Sequence, residues 1–236
     1  MNDLKIKLFA DGADLNSIIS LNSNDKIKGF TYNPTLFRKL GVSDYTTFAK
    51  EILSYIKVKP ISFEIISDEF DEMETQAKTI ASWGDNVYVK IPITNTRGES
   101  SANLINKLSH DGVKVNATGL FTLKQTREAA NALKGGSPSV ISIFAGRIAD
   151  TGVNPSPLMR KALTICKSAS PDIELLWASP RELYNIIEAD KVGCHIITVA
   201  PEVLSKLNLL GKDLTEFSLD TVKMFYNDAK KSGYVL

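Results

Sequence analysis

Short β-branched runs recur eight times along this chain, each separated from the next by segments of helical period, and few folds satisfy that pattern. The runs cover residues 5–10, 27–31, 61–66, 86–92, 113–118, 139–144, 173–178 and 194–199. Between them, apolar residues fall at helical spacing through Leu36, Phe37 and Leu40. The same spacing returns over 48–56, 69–83, 102–109 and 122–133, where Gly135-Gly136 supplies a stop. Strands that alternate with helices build parallel βαβ units, and eight such units closing on themselves make a (β/α)8 TIM barrel, usually of about 250 residues. An open doubly wound sheet is the main competitor, but it would carry a Gly-rich phosphate loop after an early strand, and none is present. The expectation is therefore an α/β chain forming a single barrel domain over residues 1–236. A last amphipathic helix at about 217–232 is placed to pack on a partner subunit.

Composition narrows the function classes. A net charge of +1 gives no basic surface for nucleic acid, and no apolar run approaches a membrane span. The N-terminus lacks the apolar core of a signal peptide. Cys166 and Cys194 have no metal-ligand spacing, so a reducing cytoplasm is the simplest compartment and no metal site is expected. His110 and His195 lie outside any motif that would use them and read as structural.

In a barrel of this kind the active site lies at the C-terminal ends of the strands. Polar residues gather there at seven successive strands: Asp11, Asn33, Glu64, Lys90, Asn116 with Thr118, Ser142 with Arg147, and Ser179 with Arg181. Lys90, within the run Val87-Tyr88-Val89-Lys90-Ile91-Pro92, is the most informative. A lysine inside an apolar strand is costly as a cation, so burial favours the free amine, a nucleophile toward carbonyls. The plainer alternative is a lysine that reaches the rim of the sheet with its charge in water.

The residue types fit one chemistry. A lysine amine attacks a ketone carbon, and the protonated imine then draws electrons from the adjacent C–C bond. Cleavage needs a carboxylate base, for which Asp11 is the candidate, and a second acid/base to remove water, for which Glu64 with a water on Thr118 is suited. Asn33, Asn116 and Ser142 suit sugar hydroxyls, and Arg147 and Arg181 suit a phosphate. Ser179-Pro180-Arg181-Glu182 also reads as a capping box with Ser179 as N-cap, a reading compatible with a phosphate at a helix N-terminus.

At these residues the chain resembles the transaldolase family. The resemblance rests on Phe9-Ala10-Asp11-Gly12-Ala13-Asp14, Thr31-Tyr32-Asn33-Pro34, Val89-Lys90-Ile91-Pro92, Val115-Asn116-Ala117-Thr118, Ser142-Ile143-Phe144-Ala145-Gly146-Arg147 and Ala178-Ser179-Pro180-Arg181, in family order. It implies a class I mechanism without metal or other cofactor. Lys90 is then the Schiff-base lysine, Asp11 the acid/base for cleavage, and Glu64 and Thr118 hold the catalytic water. Asn33, Asn116, Ser142 and Phe144 fall at donor-binding positions, and Arg147, Ser179 and Arg181 at the phosphate. The implied reaction moves a dihydroxyacetone unit from sedoheptulose 7-phosphate or fructose 6-phosphate to an aldose phosphate, as in the pentose phosphate pathway. Related fructose-6-phosphate aldolases carry Gln at the Glu64 position and Tyr at the Phe144 position, so both residues favour the transferase. An aldolase, or a barrel that binds sugar phosphates without catalysis, are the alternatives. The compact branch of the family forms homo-oligomers up to decamers. Gly12, Tyr32 and Pro180 depart from the family's usual Thr or Ser, Thr, and bulky apolar residue, and Tyr32 is expected to narrow the mouth of the pocket.

Overall fold

The computed structural model describes residues 4–234, so the outermost residues of the expected domain, 1–3 and 235–236, lie outside it. Eight parallel strands close into a barrel in sequence order: β1 (Lys7–Asp11), β2 (Ile27–Thr31), β3 (Ile61–Glu64), β4 (Val87–Pro92), β5 (Val115–Leu120), β6 (Ser139–Ile143), β7 (Ile173–Trp177) and β8 (Ile196–Val199), with β8 pairing back to β1. The expected runs match these strands to within about two residues at either end, the usual uncertainty of element boundaries.

Helices return the chain from one strand to the next: α1 (Leu15–Ser23), α2 (Pro34–Lys39) and α3 (Tyr45–Tyr55), α4 (Phe70–Ala81), α5 (Ala102–His110), α6 (Leu123–Leu133), α7 (Ala145–Asp150) and α8 (Ser156–Ala169), α9 (Tyr184–Val192), and, after β8, α10 (Pro201–Leu204) and α11 (Leu214–Ser232). Local chemistry sets their limits. Asp14 and Asp44 accept the Ser17 and Thr47 backbone N–H groups and start α1 and α3. Thr122 and Gln125 form a reciprocal capping box at α6. Gly193, at φ +87°, ends α9 in the left-handed conformation that glycine adopts without a Cβ penalty. None of the described helices is long and apolar enough to cross a membrane.

The apolar residues divide into two cores. The larger fills the space between the barrel's outer wall and its helices, with Ile18, Phe30, Phe63, Met73, Ile105, Met159, Trp177 and Ile186 among its members. The smaller one lies inside the barrel and consists of Phe9, Val140, Leu176, Ala178 and Ile196, with Tyr88 and Phe144 against it. Phe9 packs on Gly29 of the neighbouring strand: a Cβ built on Gly29 would lie 2.5 Å from the Phe9 ring. The absence of that side chain lets the ring fill the interior. His195 also serves the frame, its Nδ1 accepting the Leu175 backbone N–H at 2.8 Å.

Gly29→Ala should cost about 1–3 kcal/mol by overpacking this inner core, with part recovered when Phe9→Leu is added. Urea unfolding of the two variants measures it, and equal stability of Gly29→Ala and the parent would refute the packing argument.

Candidate active site

The inner face of the barrel changes character along its axis. Above the small apolar core, strand alternation brings Asp11, Thr31, Glu64 and Lys90 to the same inner face near the C-terminal ends. Lys90 is only 6% exposed. Its Nζ lies 3.0 Å from Glu64 Oε2 and donates to the Tyr32 carbonyl oxygen at 3.1 Å. Strand register makes this pair, because Glu64 of β3 stands directly opposite Lys90 of β4. The lysine is therefore neither isolated nor at the rim in water. A carboxylate and a carbonyl hold it, and loss of the carboxylate would leave a buried charge uncompensated.

Asp11 closes β1. Thr31 Oγ1 donates to its Oδ1 at 2.6 Å, and the Thr31 hydroxyl also bonds the Thr198 hydroxyl. Burial raises the Asp11 carboxyl above the usual carboxylate range; Lys90, the Thr31 bond and Lys39 oppose that rise, and Glu64 adds to it. A carboxyl so placed takes up a proton more readily than one in water.

A second set runs across β3, β5 and β6. Ser142 Oγ donates to Asn116 Oδ1 at 2.7 Å, and Asn116 Nδ2 donates to Ser62 Oγ at 3.1 Å. Both ends of the Asn116 amide are thereby fixed. Thr118, two residues on and 2% exposed, has a buried hydroxyl that bonds no group among the described residues, so it is free for a substrate or water. Asn33 caps α2 through its Oδ1, which accepts the Leu36 N–H at 3.0 Å, and only its Nδ2 group remains for a ligand.

The phosphate candidates come from the first turn of α7 and from the adjoining loop between β7 and α9. Gly146 N–H donates to the Ala178 carbonyl at 3.2 Å, and a Cβ on Gly146 would overlap the Ser179 carbonyl oxygen at 1.5 Å, so only glycine permits this approach. Arg147 lies over the Phe144 ring, its Cζ 5.1 Å from the centroid, and Phe144 stacks on Phe121. Arg181 is gripped by both oxygens of Asp150.

Two expectations are corrected. Ser179 caps no helix: α9 begins at Tyr184, Ser179 lies at φ +58°, and Asn185 Oδ1 takes the Arg181 and Glu182 N–H groups instead. A non-glycine residue at positive φ is strained, and such strain gathers at functional sites. Tyr32 does not narrow the mouth either. Its ring is fully buried in the outer core, stacked on Phe37 and Phe63, and its hydroxyl donates to the Ala13 carbonyl at 2.6 Å. Gly12 has φ +69°, and a Cβ there would meet Leu36 at 2.7 Å. Sequence reading gave no role to Thr31, Thr198, Asp150 or Asn185. Thr31 and Thr198, at or near strand ends, carried a positional signal; Asp150 and Asn185, inside helical segments, carried none.

The tryptophan synthase α subunit of Campylobacter jejuni shares the barrel, with a TM-score of 0.55 over 84% of this chain and 87% of that chain; at 14% identity the likeness concerns the fold alone. Relatives described as probable transaldolases are closer in sequence. The one from Brucella anthropi is 34% identical across 97% of this chain and 98% of its own. The one from Thermoanaerobacter sp. is 32% identical across 97% and 99%, and that from Streptococcus agalactiae 33% across 96% and 100%. The family described as transaldolase/fructose-6-phosphate aldolase matches residues 8–235. With that match and these relatives spanning nearly its whole length, the protein belongs to the transaldolase/fructose-6-phosphate aldolase family.

Proposed function

We propose that the protein is a transaldolase that moves a dihydroxyacetone unit between sugar phosphates through a Schiff base on Lys90. The observation that carries this reading is the buried Lys90 amine, 3.0 Å from Glu64 and within the electrostatic reach of Asp11. The Lys90 proton passes to Glu64, and the free amine adds to the C2 carbonyl of the ketose. Glu64, with a water on Thr118, supplies the proton for departure of the C2 oxygen as water. Asp11 then takes the proton of the C4 hydroxyl; the C3–C4 electron pair moves into the iminium and the aldose phosphate leaves. The remaining enamine attacks an acceptor aldehyde, and the steps run in reverse. Asn33, Asn116 and Ser142 hold donor hydroxyls, while Arg147, Ser179 and Arg181 take the phosphate. No metal or organic cofactor is required.

Glu64 and Phe144 support transfer over release. An enamine survives to meet its acceptor when no nearby acid protonates it, and the Phe144 ring offers no such proton. Retention of the whole proton-transfer set argues against a barrel that only binds. The buried thiols of Cys166 and Cys194, both pushed up to about 12 by burial, suit a reducing cytoplasm and play no part. The projecting helix α11 leaves Phe217, Val222, Phe225 and Tyr226 exposed, which supports a homo-oligomer, from dimer to decamer, joined through it.

Borohydride reduction in the presence of fructose 6-phosphate should leave a dihydroxyacetone-sized adduct on Lys90, found by peptide mass spectrometry. Lys90→Ala should abolish both adduct and turnover, and near-normal turnover in that variant would remove the Schiff-base reading. Phe144→Tyr should raise the ratio of free dihydroxyacetone to transferred product, whereas an unchanged ratio would count against the role given to Phe144. Light scattering should show an assembly that falls to monomer in Val222→Glu/Phe225→Glu; an unaltered mass would place the interface elsewhere.

A further inference from the structure

Two hydroxyls meet beside the Asp11 carboxyl, and neither has a role in the steps above. Thr31 of β2 stands in register with Asp11 of β1, and Thr198 of β8 with Phe9 of β1. Strand β1 lies between the other two, so the two side chains, 167 residues apart in sequence, meet across it. Both are sealed from water, Thr31 at 2% exposure and Thr198 at 5%. The Thr31 hydroxyl has one hydrogen and two neighbours, Asp11 Oδ1 at 2.6 Å and Thr198 Oγ1. An ionised carboxylate can only accept, so the Thr31 hydrogen goes to Asp11 and Thr198 must be the donor to Thr31.

We propose that Thr198 is a positioning residue: by donating to Thr31 it keeps the Thr31 hydrogen aimed at Asp11 and favours the carboxylate over the acid. Charged groups also act on Asp11. Lys90 of β4 and Lys39 of α2 favour the carboxylate, while Glu64 of β3 and burial disfavour it. The hydroxyl pair differs from these in being uncharged. It strengthens one bond in series, and it reverses direction when Asp11 gains its proton: Asp11 then donates to Thr31, and Thr31 to Thr198. A chain that satisfies both protonation states lets Asp11 cycle between them without leaving a buried donor unpaired. Removing Thr198 takes a partner from the chain in both forms, but the charge-assisted bond to the carboxylate loses more than the neutral bond of the acid, which moves Asp11 toward the acid.

The test begins without substrate. Infrared titration of the carboxyl band, assigned by its loss in Asp11→Asn, should show the Asp11 midpoint rising by about 0.5 pH unit in Thr198→Val. That is the scale of a roughly 10–30% cooperative gain lost from one bond. Thr198→Ser should restore the parent midpoint. Thr31→Val should shift it at least as far, and Thr31→Val/Thr198→Val no further than Thr31→Val alone. An unmoved midpoint in a folded Thr198→Val, or additive shifts in the double variant, would overturn the proposal. Thr198→Ala carries the same test should the valine variant not fold. The kinetic arm rests on the transaldolase reading: the acid limb of the kcat profile should rise with the infrared midpoint, while KM for fructose 6-phosphate stays within about twofold. A midpoint that moves in a protein without turnover would sink the assigned reaction and leave the role of Thr198 standing; turnover with an unmoved midpoint would do the reverse.

Discussion

An ammonium inside a closed barrel must have acceptors, and the way Lys90 finds its two determines how the upper half of this molecule is built. One is the Glu64 carboxylate across the β3–β4 pair, and the other is the Tyr32 backbone carbonyl at the end of β2. Strand register sets the first opposite the amine, and the second is main chain, held by the aromatic stack that buries the Tyr32 ring among Phe37, Phe48 and Phe63. The outer core therefore reaches the Lys90 amine through a carbonyl. Packing of rings between barrel and helices sets where the amine can rest.

The two cores divide the labour. Between barrel and helices the residues are mostly apolar and closely packed, with the thiols of Cys166 and Cys194 buried among them. Inside the barrel the apolar contents form only a floor, with Phe9 spread across Gly29. Above that floor side chains are polar and mostly paired: Ser142 with Asn116, Asn116 with Ser62, Thr198 with Thr31, and Thr31 with Asp11. Such pairs fix rotamers before any ligand arrives, so little ordering remains to be done on binding. Thr118 is the exception, with a buried hydroxyl left for what enters.

Much of this was legible in the residues. Eight β-branched runs at βα spacing specified the barrel, because a period-2 run and a period-3.6 run cannot exchange roles without exposing their apolar faces. Asp11, Glu64, Lys90, Asn116 and Ser142 could be placed on one inner face because parallel pairing makes residues near strand ends neighbours. What escaped was set by loops and by side-chain direction. Ser179-Pro180-Arg181-Glu182 has the composition of a helix start, yet Ser179, packed against Gly146, is left-handed, and the helix waits until Tyr184. Tyr32 precedes a site residue, but it follows Thr31 in β2, and alternation turns its ring away from the pocket. Asp150 sits 31 residues from Arg181, and no local pattern links them.

The contact between Gly146 and Ser179 has a consequence for how such an enzyme can be altered. The first turn of α7 presses its backbone nitrogen and bare α-carbon against the backbone of the β7–α9 loop, so Arg147 and Arg181 are mounted on a common hinge pin of main-chain atoms. The charged tips can be exchanged for other groups while the pin stays. A library that varies Arg147, Asp150 and Arg181 would thus change side chains on a constant mount, whereas randomising Gly146 with them would scatter the spacing between α7 and the β7–α9 loop. The charged tips are the separable part of this arrangement, and the spacing of the main chain beneath them is not.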